Sequence, residues 1–318
     1  MREKHLLTWL RPYKGLPQHP EATPFGRAAI TLAHEGIRLF LAATSTSWTT
    51  VRAGQWIQTE PRPVDAIYDR YASRSLPEHY AGLVRQSPDT PRGNPTNIIR
   101  LCSDKVETQR ALPSLPFPAI ESDPNDFSPQ LSTWGKAFLK PRFGGLGRGI
   151  HVVVPGDPLP PWGPGAVRGG SEPTFLQKAI EPPEGFGSLC VRWLIQREPT
   201  GEWIALPPVA RVSEHLVANV HQGASAFPAE DVLPKSALRK AQSIALDAAK
   251  SLQSMSSGPI VELGIDLVFD RHFDPWILEI NSRPSGRFRS LSEIDPHRFQ
   301  PLADQAVMRP LRCLAALT

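Results

Sequence analysis

At 318 residues, with 40% hydrophobic and 21% charged residues, the chain can bury a sizeable core and divide into two or more lobes. The formal net charge of +4 is small for this length, so a basic pocket for phosphates explains the balance as well as a nucleic-acid surface would. Cys102, Cys190 and Cys313 are widely spaced, give no zinc spacing or disulfide framework, and point to a reducing, cytoplasmic setting.

The N-terminal MREKHLLTWLRPYK lacks the apolar core of a signal peptide. No run of about 18 apolar residues occurs, so no membrane partner is expected. His5 to Leu10 is a strand candidate, Phe25 to Glu35 has helical apolar spacing ended by Gly36, and Ile37 to Ala42 is the next strand, a β-α-β start. Asp65 to Arg74 reads as a strand with polar residues at its end, where ligands gather in open α/β sheets. Asp69, Arg70 and Arg74 are therefore substrate-side candidates, with a surface salt-bridge cluster as the alternative. Pro88 to Pro95 has the composition of a linker.

Ser103 or Asp104 can cap a helix that carries Lys105 in its first turn. Phe138 to Ile150, FLKPRFGGLGRGI, is a strand ending in Lys140 followed by Gly144, Gly145, Gly147 and Gly149. Glycines let backbone N–H groups approach phosphate oxygens, and Lys140 adds a fixed charge. The loop is neither a Walker A motif nor a G-x-G-x-x-G fingerprint. Val152 to Val154 pairs back, and Thr174 to Glu181, TFLQKAIE, suits a hinge or a plain connecting strand.

Leu189 to Gln196 and Trp203 to Val212 read as strands paired around Glu198 to Gly201, presenting Arg192 and Arg211. Lys235 to Ser254 is an amphipathic helix whose stripe is Leu238, Ala241, Ile244, Ala245, Ala248 and Leu252. Val261 to Pro284 then reads as two strands joined at Arg271 to Asp274. A turn symmetric about His272 and Phe273 sets Asp266 opposite Glu279, Gly264 opposite Asn281, and Glu262 opposite Arg283. Leu263, Ile265, Leu267, Leu278 and Ile280 form the apolar face. Facing carboxylates repel unless something sits between them, and a hard divalent cation suits oxygen ligands. Gly264 leaves room for that ion or for phosphate oxygens; a solvated edge hairpin is the alternative. Ala303 to Leu317 is a closing helix.

The order of these pieces resembles the ATP-grasp superfamily, and within it the endospore coat-associated proteins of the YheC/YheD type. The segments that carry the likeness are YDRYASR, SDKVETQRAL, FLKPRFGGLGRGI, LQKAIE, VRWLIQ, NVHQGA, ELGIDLVF and WILEINSRPSG, spanning roughly Asp65 to Gly286. The resemblance implies an α/β chain of α+β lobes. An N-terminal pre-ATP-grasp α/β domain (1–97) would precede a small lid subdomain (98–175) and a C-terminal subdomain carrying the metal site (176–318). It implies that Lys105, Lys140 and the glycine loop contact ATP, that Gln177, Lys178 and Ala179 line the adenine through backbone groups, and that Glu181 holds the ribose. It further implies Asp266, Glu279 and Asn281 as ligands of one or two Mg2+ ions, with Mn2+ able to substitute. Arg192, Arg211, Asn219 and Arg283 fall on the catalytic side, and Arg283 with Arg287 and Arg289 suggests an anionic substrate or the nucleotide's own phosphates. The Asp-x-Arg strand of the family reads here Cys190-Val191-Arg192, which leaves the orientation of Arg192 open. The implied activity joins a carboxylate and an amine (amino acid, peptide or protein) through an acyl phosphate. A phosphotransferase, and a spore-coat structural protein with a vestigial site, are the alternatives. Nucleic acid is not an expected partner, because the basic residues gather at the phosphate site.

Overall fold

The computed structural model describes residues 2–9, 18–42, 47–70, 84–85, 89–144, 148–158, 173–214, 224–284 and 288–318. Three sheets organise these residues. In the first, β1 (Lys4–Trp9) runs parallel to β2 (Ile37–Ala42), and α1 (Pro24–His34) connects them. Thr23 caps α1 by accepting the Gly26 N–H, and Gly36 leaves it at φ 75°. β5 (Ala66–Asp69) lies parallel on the other side of β1. Alternation divides the side chains. Leu6, Leu39, Ala66 and Tyr68 pack with Ala28, Ala29 and Leu32 of α1, while Leu7, Trp9, Phe40 and Ile67 form a separate core on the opposite face.

Two elements here differ from expectation. β3 (Trp48–Arg52) and β4 (Gln55–Thr59) extend the sheet beyond β2 as an antiparallel hairpin, turned at Ala53 and Gly54 with φ 46° and 73°. The segment read as a linker contains β6 (Arg92–Gly93), parallel to β5. Asn94 beside it is buried and bonds four backbone groups of the third sheet. Its Nδ2 donates to Glu262 O and Ser282 O, and its Oδ1 accepts from Val261 N and Glu262 N. What composition marks as a spacer is thus a fastening point between sheets.

α2 (Thr96–Ser103) and α3 (Lys105–Ala111) lead to the second sheet. That sheet is antiparallel in the order β7 (Ile120–Glu121), β10 (Thr174–Lys178), β8 (Ala137–Pro141), β9 (His151–Val153). α4 (Phe127–Trp134) covers it with Phe127 and Leu131.

The third sheet runs β14 (Ser225–Pro228), β13 (Val209–Ser213), β11 (Ser188–Arg197), β15 (Glu262–Phe269), β16 (Pro275–Asn281), with β12 (Trp203–Ala205) also on β11. α5 (Lys235–Ser254) packs on it through Ala237, Ala241, Ala245, Ala248, Ala249 and Leu252; Leu238 and Ile244 flank this stripe, partly buried. α6 (Arg289–Ile294) precedes α7 (Pro296–Ala316), which starts earlier than expected because Asp295 caps it and Pro296 suits its first turn. Phe299, Ala303 and Ala306 of α7 join Leu194 of β11 and Leu206 just after β12. Val307, Leu311 and Leu314 join the first sheet, so α7 fastens the two together. Among the described residues no helix is long and apolar enough to cross a membrane. All three cysteines are free thiols.

Candidate active site

The β15–β16 hairpin positions the acidic residues. Its turn is closed by Phe273 N–H donating to Asp270 O, and the Asp270 carboxylate accepts from His272 and Asp274 N–H. Asp266 lies opposite Glu279 and Gly264 opposite Asn281, as expected. A register shift after Asp266 then pairs Leu267 with Ile277, so Ile277 rather than Leu278 enters the core beside Ile280. The expected facing of Glu262 and Arg283 does not occur. Glu262, 1% exposed, accepts from Tyr68 Oη at 2.6 Å, from Arg70 and from Gln196 Nε2 at 3.2 Å. Arg283 instead pairs with Asp69. Both are drawn to the end of β5, where a buried charge requires a partner.

The charge between the facing carboxylates comes from arginine. β11 lies between β13 and β15, pairing Arg192 with Asp266 and Cys190 with Arg211. Arg192 grips Asp266 in a bidentate pair through Nε and Nη2, and its Nη2 is 4.0 Å from Glu279 Oε1. Arg211 Nη2 donates to Asp266 Oδ1 at 2.8 Å and lies 3.3 Å from Cys190 Sγ. Burial raises the Asp266 carboxyl, but the guanidiniums of Arg192 and Arg211 overcome it and hold the group at about 2. Burial pushes the Cys190 thiol up to about 11, so this residue does not supply the charge an aspartate would. Asp266 orients Arg192 instead.

Gly264 does not leave open space. A Cβ there would meet Pro284 Cβ at 2.7 Å and Arg192 Cδ at 3.3 Å, so the glycine admits the arginine stem. Among the described residues, no group of three His, Cys, Asp or Glu side chains could hold a metal. Two carboxylates and an amide nonetheless suit a hard cation that takes its other ligands from phosphates or water. Asn281 Nδ2 donates to Glu279 Oε1 at 3.0 Å and to Asp266 Oδ2 at 3.4 Å, and the amide turned over would offer its oxygen to the same place.

Lys140, at the end of β8, is 6% exposed and donates to Gln177 Oε1 at 2.6 Å across to β10. Burial lowers its ammonium to about 8, with Glu279 raising it and Lys105 lowering it further. Asp104 caps α3, accepting from Val106 and Glu107 N–H, and also binds Arg142. Lys105 Nζ donates to Gly144 O at 2.9 Å, so the helix start is tied to the start of the glycine loop. Gly144 and Gly149 have φ 113° and 68°, which side chains rarely adopt.

The hinge is partly occupied. Lys178 and Ala179 N–H donate to Ala119 O and Lys136 O, so these two N–H groups are already engaged. Glu181 is exposed and pairs with Arg271. Arg283 is committed to Asp69 and so is not a freely offered cation. Gly145, Gly147, Asn219, Arg74 and Arg287, and the side chain of Arg289, lie outside the described residues. Nothing in the sequence pattern marks the Gln177 side chain as a partner of Lys140, or singles out Asn94 or Arg142.

A family model described as YheC/D like ATP-grasp matches residues 170–307. No curated protein matches the chain in sequence. Among solved structures, the chain is similar to D-alanyl-alanine synthetase A from Vibrio cholerae, at 12% identity and TM-score 0.58, covering 98% of this chain and 99% of that one. It is similar to the VanG D-Ala:D-Ser ligase from Enterococcus faecalis at 11% identity and TM-score 0.60, covering 97% and 100%. A D-cycloserine synthetase aligns at 15% identity and TM-score 0.60, covering 96% and 99%. The chain therefore has the ATP-grasp fold, and within it residues 170–307 match the YheC/D like ATP-grasp family model.

Proposed function

We propose that the chain is an ATP- and Mg2+-dependent, ADP-forming ligase that joins a carboxylate to an amine through an acyl phosphate. One observation carries this reading. Asp266, Glu279 and Asn281 share one face of a hairpin, and Arg192 and Arg211 converge on Asp266 while the charges of Lys140 and Lys105 act on one another. Such a surface suits a polyphosphate with its cation. The names of the structural neighbours, synthetases and ligases, agree with it. The three parts of the fold would then serve as substrate domain (1–97), lid (98–175) and metal-bearing subdomain (176–318).

Forming an amide from a carboxylate is uphill in water; transfer of the γ-phosphoryl group of ATP to the carboxylate would release ADP and make an acyl phosphate, whose carbonyl an amine could attack with loss of a proton and expulsion of inorganic phosphate. Lys140 and Lys105 would bind and orient the phosphates, and the glycine loop would exclude water from the acyl phosphate. Arg192 and Arg211 would steady charge on the transferred group. Asp266, Glu279 and Asn281 would hold Mg2+, which when bound supplies positive charge to the phosphate oxygens. Glu181 would hold the ribose after leaving Arg271, and the Lys178 carbonyl would face the adenine.

The test is thermal stability with Mg2+ and a non-hydrolysable ATP analogue, followed by ADP release with carboxylate and amine pairs. At about 100 times the dissociation constant, binding should add roughly 2.7 kcal/mol. Glu279→Gln should keep the fold and abolish ADP release. Unchanged turnover in that variant would remove the proposal.

A further inference from the structure

Lys140 and Gln177 stand apart from the other charged contacts of the site. Lys140 pairs with Phe175 across β8 and β10, and Gln177 pairs with Phe138, so all four side chains share one face of the second sheet. On that face the Lys140 ammonium reaches diagonally to Gln177 Oε1 at 2.6 Å and lies 5.1 Å from the centre of the Phe138 ring. Lysine and glutamine are both at least nine-tenths buried. Among the described residues no carboxylate lies within ion-pairing distance of Nζ, whereas Arg192, Arg211, Arg142 and Arg283 each have one. Lys140 is thus a buried cation held by a neutral amide, with the Phe138 ring alongside.

A glutamate of the same shape in place of Gln177 would hold the ammonium as firmly and would also neutralise it. The amide fixes direction without consuming charge. Burying a cation without a counter-charge is costly, and the arrangement makes sense where an anion is to arrive. We infer that Gln177 is a positioning residue. Its side-chain amide aims the Lys140 ammonium into the site and keeps its charge uncompensated, so that the charge is available to the phosphates of a nucleotide. This inference rests on the nucleotide reading above and gives the Gln177 side chain a task separate from its backbone position in the hinge.

The groups that act on Lys140 come from three directions: Glu279 from β16, Lys105 from α3 and Cys190 from β11. Two substitutions at Gln177 should move its behaviour oppositely. Gln177→Glu supplies a counter-charge, so the pH at which nucleotide affinity falls should move up. Gln177→Met removes the acceptor and leaves burial unopposed, so the same limb should move down. Both should weaken binding, by about 10- to 100-fold, as a charged hydrogen bond to phosphate is either competed away or no longer aimed.

The experiment is titration of parent, Gln177→Glu and Gln177→Met with Mg2+ and a non-hydrolysable ATP analogue from pH 6.5 to about pH 9.5, within reach of an unshifted lysine. Circular dichroism on each variant checks the fold. The expected result is weaker binding in both variants with the pH limb displaced in opposite senses. If one variant does not fold, the direction in the other decides. Parent-like affinity in Gln177→Glu, or limbs displaced the same way, would overturn the role of Gln177. Absence of binding by the parent would instead overturn the nucleotide reading beneath it.

Discussion

Replacing Lys140 by methionine should stabilise the protein at neutral pH. The ammonium is held at about 8 in the folded chain against 10.5 for an ordinary lysine, mainly because it is buried. That gap corresponds to about 3 kcal/mol of unfavourable free energy while the lysine is charged. Methionine removes this cost but leaves the buried Gln177 amide oxygen without its donor, which costs about 1–3 kcal/mol. The net gain at pH 7 is therefore about 1 kcal/mol. The sign follows from proton counting. Between pH 8 and 10.5 the unfolded chain keeps a proton that the folded chain has released, so the stability of the parent rises with pH and that of the variant does not. Urea denaturation of both proteins at pH 7 and pH 10 should show the variant ahead at pH 7 and level or behind at pH 10. A variant less stable at pH 7, or a difference that does not change with pH, would refute the claim that Lys140 carries a buried charge with no paired carboxylate among the described residues.

Mg2+ alone, without nucleotide, should leave the melting temperature nearly unchanged, because Arg192 and Arg211 already occupy the Asp266 oxygens; a large shift with the metal by itself in differential scanning fluorimetry would contradict that. Arg70→Met should cost about 3 kcal/mol in urea denaturation, since it removes the guanidinium paired with the buried Glu262 carboxylate; a loss below about 1 kcal/mol would mean that the other partners of Glu262, Tyr68 and Gln196 among them, suffice. Gly187→Ala should destabilise by about 2 kcal/mol or more, because a methyl there would overlap the Glu214 carbonyl oxygen, a backbone atom; parent-like denaturation would show that the two segments can move apart.

Local signals made the central hairpin legible. The turn at Arg271 to Asp274, the alternation and the Asp266, Glu279, Asn281 spacing set the register at the site correctly. The bulge that shifts register nearer the turn has no sequence mark, and it exchanges Leu278 for Ile277 in the core. β6 is two residues long, too short for any periodicity, and the role of Asn94 depends on strands more than 160 residues away in sequence. The β3–β4 hairpin carries strand-forming residues, but its turn puts Ala53 at positive φ, where Asn or Gly would have announced it. Long-range charge pairing was least legible. Arg192 and Arg283 read as cations offered to a substrate, and the fold gives each a carboxylate, Asp266 and Asp69, from another strand.

These pairings change what the polar face of the hairpin implies. Repulsion between Asp266 and Glu279 is a sound reason to expect a counter-charge, but it does not specify a metal. Arg192 and Arg211 meet the need at Asp266 through hydrogen bonds that a bare divalent cation would have to displace. A cation arriving with a polyphosphate meets no such obstacle, because the phosphates offer the guanidiniums new acceptors as the carboxylates turn to the metal. Lys140 of the second sheet, whose hydrogen-bond partner among the described residues is the Gln177 amide, adds a charge that Glu279 feels. Under the proposed function, the site would favour metal and anion together over either alone, and the arginines that hold Asp266 in the free protein are the groups that would move to the transferring phosphoryl group.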